Sequence, residues 1–69
     1  MHNARIIEPL GYLASDGRPS NIPVGPCLIE EIPGAKVEII WGTTGENSTT
    51  LAQVDMQTAQ QSGLLLLLD

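Results

Sequence analysis

A run of five consecutive leucines at residues 64–68 constrains the fold more than any other part of the sequence. The run is too short to form a stable helix by itself, and it comes directly after Gly63, so we expect a strand. Strand side chains alternate between two faces, and leucine occupies both faces of this strand. Strands that are buried on both sides read as continuous apolar runs. The run therefore predicts a covering layer on each face.

We expect a second copy of the chain to be one of these layers, because 69 residues offer little protein to cover both faces. The alternatives are a strand whose back is covered by the segment 14–26 and an apolar chain end that nothing covers. The expected oligomer interface residues form two sets, Leu64, Leu66 and Leu68 on one face and Leu65 and Leu67 on the other.

A chain of 69 residues buries only about 60% of the surface that it exposes when unfolded. Domains of this size usually add a disulfide, a structural metal or a partner subunit to their core. Cys27 is the only cysteine and His2 the only histidine, which excludes an internal disulfide and a Cys/His zinc site within one chain. We therefore expect one small domain over residues 1–69 that associates with itself and uses no metal and no cofactor.

Acidic residues outnumber basic residues by eight to three, which gives a formal net charge of −5. Nucleic-acid-binding proteins gather Lys and Arg into a patch, so we expect no nucleic-acid partner. The leucine run is far shorter than the roughly 20 apolar residues that span a bilayer, so we expect no membrane segment. No signal-peptide pattern comes after Met1, and a lone cysteine is typical of a reducing compartment. These features predict a cytoplasmic protein.

Turn signals rich in Gly and Pro separate short apolar runs, a pattern that is typical of small all-β domains. The clearest element is a hairpin formed by residues 27–32 and 36–41. In its second strand Val37 and Ile39 share one face. The Pro-Gly pair between the strands does not suit the primed turn of a two-residue loop. We expect a loop of three to five residues, with the register open.

The first third of the chain is less regular. Residues 5–8 favour a strand, but Pro9 has no backbone N–H to donate, so the second half of this run is limited to an edge strand or a bulge. Residues 14–26 are rich in Gly, Pro, Ser and Asn and are predicted to form a loop. Ile22 and Val24 are expected to attach this loop to the core.

The stretch before the leucine run fits two descriptions. As a helix, it would have Ser48 as its N-cap and Gly63 just past its end, and its Ala, Gln and Met content favours helix. Its neighbouring threonines favour a strand. We predict a strand over residues 49–55 and a short helical turn over residues 56–61, with a full helix over residues 50–61 as the alternative.

Five short strands, a long first loop and a helical turn before the last strand define a mainly β fold. The order of these elements resembles the layout of small SH3-like barrels, and a β-roll is the related possibility. An α+β fold with a helix at about residues 50–61 is the alternative. The resemblance covers element order and no sequence motif, so it implies a fold class and no particular function.

Trp41 is the only tryptophan and lies at a strand end beside Gly42. Tryptophan is enriched at binding interfaces, so Trp41 is a candidate for a ligand pocket or an interface as well as for the core. Tyr12 is a second candidate, because its hydroxyl requires a partner at a rim or in water. Glu30, Glu31 and Glu38 lie on the two hairpin strands, and the register decides whether Glu30 or Glu31 faces Glu38. A close carboxylate pair can perform general acid/base chemistry.

Two further segments contain residue types that other proteins use for chemistry. Residues 42–48 superficially resemble a phosphate-binding loop, but a P-loop requires a lysine and a helix directly after it. Glu46 stands where a positive charge would be needed, so we interpret the segment as a hairpin turn. Cys27 has no histidine near it in sequence to activate it, so we expect a buried thiol that acts as a small hydrophobic residue. No pattern indicates a catalytic site.

These observations support three functional hypotheses. The first is a small cytoplasmic homo-oligomeric β protein that works as a binding module without catalysis of its own. The second is an enzyme or small-ligand-binding protein whose site forms between subunits and uses Trp41, Tyr12, Glu30 and Glu38. The third is an acidic regulator that docks a basic protein, and it depends on the net charge of −5 alone.

Overall fold

The structure is a computed structural model that describes residues 1–14 and 16–69. It confirms a mainly β fold with antiparallel strands and one short helix in the described residues. In chain order the elements are β1 (His2–Ile6), β2 (Leu10–Leu13), β3 (Pro19–Ile22), β4 (Gly25–Ile32), β5 (Lys36–Trp41), β6 (Asn47–Ala52), α1 (Gln53–Gln61) and β7 (Leu65–Leu67).

Five of the strands form one sheet in the order β6–β5–β4–β1–β7, in which every neighbouring pair is antiparallel. β2 and β3 form a separate two-stranded sheet. Across the described ranges the edge strands β6 and β7 do not pair with each other, so the large sheet is open. The predicted closed SH3-like barrel is therefore not confirmed.

The first third of the chain contains more strand than we predicted. The expectation of an irregular loop over residues 14–26 is wrong, because β3 pairs with β2 and β4 begins at Gly25. Two strands are thereby added to the predicted five. Pro9 lies in the break between β1 and β2, as its missing N–H requires. Ile22 is fully buried and attaches β3 to the core, whereas Val24 is exposed.

The predicted central hairpin is confirmed as β4 and β5, with Ile32 opposite Lys36 as its last pair. The loop has three residues, and the register is the one that places Val37 and Ile39 in the core. Gly34 and Ala35 both adopt positive φ, at 92° and 56°. Positive φ is easy for glycine and uncommon for alanine, so the turn is tight.

The stretch over residues 47–61 is a strand followed by a helix, as we predicted, but the boundary lies earlier in the chain. β6 ends at Ala52 and α1 begins at Gln53. The alternative of a full helix over residues 50–61 with Ser48 as its N-cap is wrong, because Ser48 lies inside β6 opposite Ile40. Ala52 occupies the N-cap position with an extended backbone and no side-chain cap.

The end of α1 lies where Gly63 predicts it. The N–H of Gly63 donates to the carbonyl of Gln60 at 3.1 Å, and the N–H of Leu64 donates to the carbonyl of Ala59 at 2.9 Å. Gly63 has a φ of 78°. This pair of hydrogen bonds is a Schellman motif, which requires a left-handed residue just past the helix. It turns the chain directly from α1 into β7.

Within the described part of the chain, one face of the five-stranded sheet is covered and the other is not. We call the covered side the inner face: Met56 and Ala59 of α1, together with Leu10 and Ile22 of the small sheet, pack there. The outer face carries the remaining side chains of the same strands. The buried residues of the inner face are Ala4, Ile6, Cys27, Ile29, Val37, Ile39 and Leu65.

Candidate functional site

The leucine run forms an edge strand with one buried and one exposed face. Leu65 is 2% exposed in the core, whereas Leu66 and Leu68 are 51% and 56% exposed. Leu64 and Leu67 are half-buried against the core. The alternative in which the segment 14–26 covers the back of this strand is wrong, because Ile22 of that segment packs on the inner face and leaves Leu66 and Leu68 open.

The exposed leucines belong to a larger apolar patch on the outer face. The cross-strand register aligns Leu28 with Ile40, and residues directly opposite each other share a face of the sheet. Leu68 joins them, since it lines the same groove of about 290 Å³. Leu28 and Ile40 were not predicted as site residues from the sequence. Their alternation with Ile29 and Ile39, which are buried, nevertheless indicates that they lie on the opposite face. The apolar patch consists of Pro26, Leu28, Ile40, Leu66 and Leu68.

Arg5 and Glu30 carry opposite charges at different levels along the strands of the outer face. Arg5 is opposite Leu66 on one side and opposite Pro26 on the other. Glu30 lies four residues farther along β4 than Pro26, a distance of about 13 Å at 3.3 Å per residue. Leu28 lies midway between Pro26 and Glu30. The outer face therefore has a cation near one end and a carboxylate near the other, with apolar side chains between them.

Glu30 and Glu38 are brought directly opposite each other by the β4–β5 register, and both are half-buried. Like charges in this position repel across a strand pair. Lys36 lies two residues from Glu38 on the same face, where it offsets part of this repulsion. The structure thus realises the carboxylate pair that the sequence suggested. The described residues give no evidence of a further catalytic group beside this pair.

Trp41 and Tyr12 meet through their rings. The ring centroids are 6.0 Å apart with an interplanar angle of 71°, which is an edge-to-face contact. Both side chains are half-buried and pack against the core. Trp41 also lines the groove beside Leu28, so it connects the core with the outer face. Tyr12 lines a different cavity that it shares with Glu38.

The loop at residues 42–46 is the predicted turn between β5 and β6, and it binds its own carboxylate. Glu46 Oε2 accepts hydrogen bonds from the Thr44 N–H and the Thr44 hydroxyl, each at 2.9 Å. Backbone N–H donors of Glu46, Thr44 and Thr43, with the Thr44 hydroxyl, lower the pKa of Glu46. A Cβ on Gly42, which has a φ of 105°, would lie 2.5 Å from Glu46 Oε2. The hydrogen-bond donors of this loop are occupied by the Glu46 carboxylate. In a phosphate-binding loop the donors would be free to bind the phosphate.

The Glu46 loop gives a direct titration test. We expect Thr44→Val to raise the pKa of Glu46 because it removes the hydroxyl donor to Oε2. Since the folded-state pKa is lowered, the loop contact stabilises the protein above the unfolded pKa and is lost as the pH falls through the folded value. Carboxyl carbon NMR shifts of Glu46 against pH measure this. Thr43→Val is the control, because its side chain donates nothing to Glu46, and equal shifts in both variants would contradict the assignment.

The two ends of the described chain are tied together on one sheet edge. The Asn3 N–H donates to both carboxylate oxygens of Asp69, at 3.1 and 3.2 Å, and Asn3 Nδ2 donates to Oδ2 at 3.1 Å. These hydrogen bonds, assisted by His2 with Nδ1 at 3.6 Å from Oδ1, lower the pKa of Asp69. The contact holds the chain beyond β7 against β1, which fixes Leu68 over the outer groove.

Cys27 is buried, as we predicted, and burial raises the pKa of its thiol. A raised pKa leaves little thiolate near neutral pH, so Cys27 is a packing residue. Within residues 1–14 and 16–69, no three His, Cys, Asp or Glu side chains cluster as metal ligands would. None of the helical structure described is long and apolar enough to cross a membrane.

Comparison of the chain with protein-family models, with curated proteins and with solved structures finds no significant match.

Proposed function

We propose that this protein is a small homo-oligomeric binding module whose subunits associate through the outer face of the five-stranded sheet. The observation that carries the proposal is the apolar patch, which no element of the described chain covers. Exposed apolar side chains that form one contiguous patch are a mark of interaction surfaces. The patch contains Leu66 and Leu68 from the run that first predicted association.

The placement of charge on the outer face fits a second copy of the chain. A two-fold axis that crosses the strands at the level of Leu28 reverses the strand direction of the second sheet. Leu28 then faces the partner's Leu28, and Arg5 lies beside the partner's Glu30. Such an interface is self-complementary, as two-fold symmetry requires. Apolar contact in the middle and ion pairs at the rim match the usual anatomy of interfaces.

This association leaves the small sheet and the unpaired edge of β6 uncovered, so a dimer presents two copies of those elements for binding other molecules. Buried, reduced Cys27 fits a cytoplasmic location, because thiols persist in reducing compartments. No residue of the chain is assigned a catalytic role in this proposal.

The test is the absolute mass in solution, measured by light scattering over a dilution series. We expect a multiple of 7.4 kDa for the native chain and a 7.4 kDa monomer for the double variant Leu66→Lys with Leu68→Lys. The control is Val24→Lys with Val54→Lys, which places the same charges on side chains that are 54% and 64% exposed outside the patch. The control variant should keep the native mass. A monomeric native chain would overturn the proposal.

Charge reversal tests the orientation of the two copies. Arg5→Glu places like charges together at both ends of the interface and should shift the native chain toward monomer. Combining Arg5→Glu with Glu30→Arg restores opposite charges in the symmetric arrangement and should restore the mass. Charge pairs at interfaces couple in this manner. An oligomer that responds to neither variant would contradict the two-fold arrangement while leaving the apolar patch as the interface.

A further inference from the structure

Two strands that each have an unpaired edge, β2 and β6, line an open cleft. β6 is an edge of the five-stranded sheet, and β2 pairs only with β3 in the described part of the chain. Edge strands present unpaired N–H and C=O groups that can pair with another strand. Residues of β2 line the cleft on one side and residues of β6 line it on the other, in two adjoining cavities.

The cleft has the dimensions of a peptide site. One cavity measures about 470 Å³ and lies between Tyr12 of β2 and Ser48 to Thr50 of β6. The other measures about 410 Å³ and continues to Ala52 and the first turns of α1. Ligand sites usually measure about 300 to 1,000 Å³. The two cavities extend along β6 over five residues, a length of about 17 Å in an extended chain.

The cleft has a mixed apolar and polar lining, and the charged residues among its described lining residues are both acidic. Glu38 lines the first cavity and Asp55 the second. Neither cavity is lined by Lys, Arg or His. Threonine hydroxyls at Thr50 and Thr58 add further hydrogen-bonding groups. Glu38 lies opposite Thr50, midway along the β6 side of the cleft, and Asp55 lies toward its α1 end. An occupant with positively charged side chains therefore complements the cleft, and a phosphate backbone does not.

We propose that the cleft between β2 and β6 binds an extended, lysine- or arginine-bearing peptide segment of a partner protein. The segment adds a strand between the two free edges, so that backbone hydrogen bonds supply affinity and the carboxylates of Glu38 and Asp55 select basic side chains. Strand addition to a sheet edge is a common form of peptide recognition. The cleft lies at the β6 edge of the sheet and shares no lining residue with the groove of the apolar patch, although Glu38 is opposite Glu30 on the outer face.

A second copy of the chain does not fit the cleft, because it offers no basic side chain on a free strand. The edge strands β6 and β7 carry no Lys or Arg. Arg5 and Lys36 lie on β1 and β5, which are paired on both sides within the sheet. Since no free strand of the described chain offers a basic side chain, the segment comes from another protein.

The probe is a fluorescein-labelled nonapeptide in which valine and threonine alternate between a lysine near each end. Fluorescence anisotropy at low ionic strength should show saturable binding to the native chain. Glu38→Gln with Asp55→Asn should weaken binding by about tenfold or more, because it removes both charge-assisted hydrogen bonds to the lysines. The control, Glu8→Gln with Asp16→Asn, changes the net charge equally at residues outside the cleft and should leave binding within about twofold.

Two further peptides separate pairing from simple attraction of charge. A peptide with proline at two central positions keeps both lysines but cannot donate to a ladder, and it should bind at least about tenfold more weakly than the parent. A peptide with glutamate in place of both lysines should not bind. Equal binding of the proline peptide, equal loss in the control variant, or no saturation up to about 1 mM peptide would each overturn the proposal.

Discussion

Ile39→Ala lowers the free energy of unfolding by about 2–5 kcal/mol, the range for large-to-small changes in a closed core. Ile39 is fully buried, and it lies in β5 between Ile29 and Thr49 of the neighbouring strands. A chain of this length is stabilised by roughly 3–10 kcal/mol in total. Removing three carbons at this position therefore costs a large part of the stability and unfolds a measurable fraction of the molecules.

Urea denaturation monitored by circular dichroism and Trp41 fluorescence measures this change. Ile7→Ala is the matched control: the substitution is the same, but Ile7 is 43% exposed and lies outside the strands. Its backbone N–H still donates to the Leu64 carbonyl at 2.8 Å. We expect the control to lose less than about 1 kcal/mol. Comparable losses in both variants would show that Ile39 is not in the closed core.

The elements that the sequence predicted well are those in which period and turn chemistry agree. The β4–β5 hairpin has alternation in Val37 and Ile39 and a Pro-Gly turn, and both signals point to the same strands. Gly63 ends α1 because a left-handed position favours glycine. Local chemistry determined these features, so the sequence contained enough information to place them.

The features that were missed depend on contacts between distant segments. β3 has the sequence Pro-Ser-Asn-Ile, which local preference classifies as loop. Pairing with β2 and burial of Ile22 override that preference, as tertiary contacts commonly do. The boundary between β6 and α1 failed for a similar reason: pairing with β5 extends only to Ala52, and the helix begins where the ladder ends.

The candidate site, too, could be predicted from the sequence only in part. Alternation predicted two faces for the leucine run, and the structure buries Leu65 and exposes Leu66 and Leu68, while Leu64 and Leu67 are half-buried. The rest of the outer face could not be predicted without the strand register, because only cross-strand pairing brings Leu28 beside Ile40 and separates Arg5 from Glu30. The cleft between β2 and β6 could not be predicted without the strand topology, because it lies between strands that are about 35 to 40 residues apart in sequence.

Leu65→Lys prevents folding at room temperature, whereas Leu66→Lys, one residue later in the same strand, leaves the chain folded. Leu65 packs in a core in which every buried residue of the described chain is apolar, so a lysine ammonium there finds no partner. An unpaired buried charge is among the few changes that cost more than about 4–5 kcal/mol. Leu66 is exposed on the outer face, where a lysine keeps its hydration.

The two lysine variants differ by one position, so their comparison measures strand alternation in β7 directly. Amide dispersion in proton–nitrogen NMR spectra should collapse for Leu65→Lys and remain native for Leu66→Lys. Slippage of β7 by one residue would exchange the two faces and reverse this outcome. The reversed result would place Leu65 on the outer face. The apolar patch would then include Leu65 and Leu67 in place of Leu66 and Leu68. The native register predicts instead that Leu66→Lys changes association and not folding, because it alters only the surface that a second copy covers.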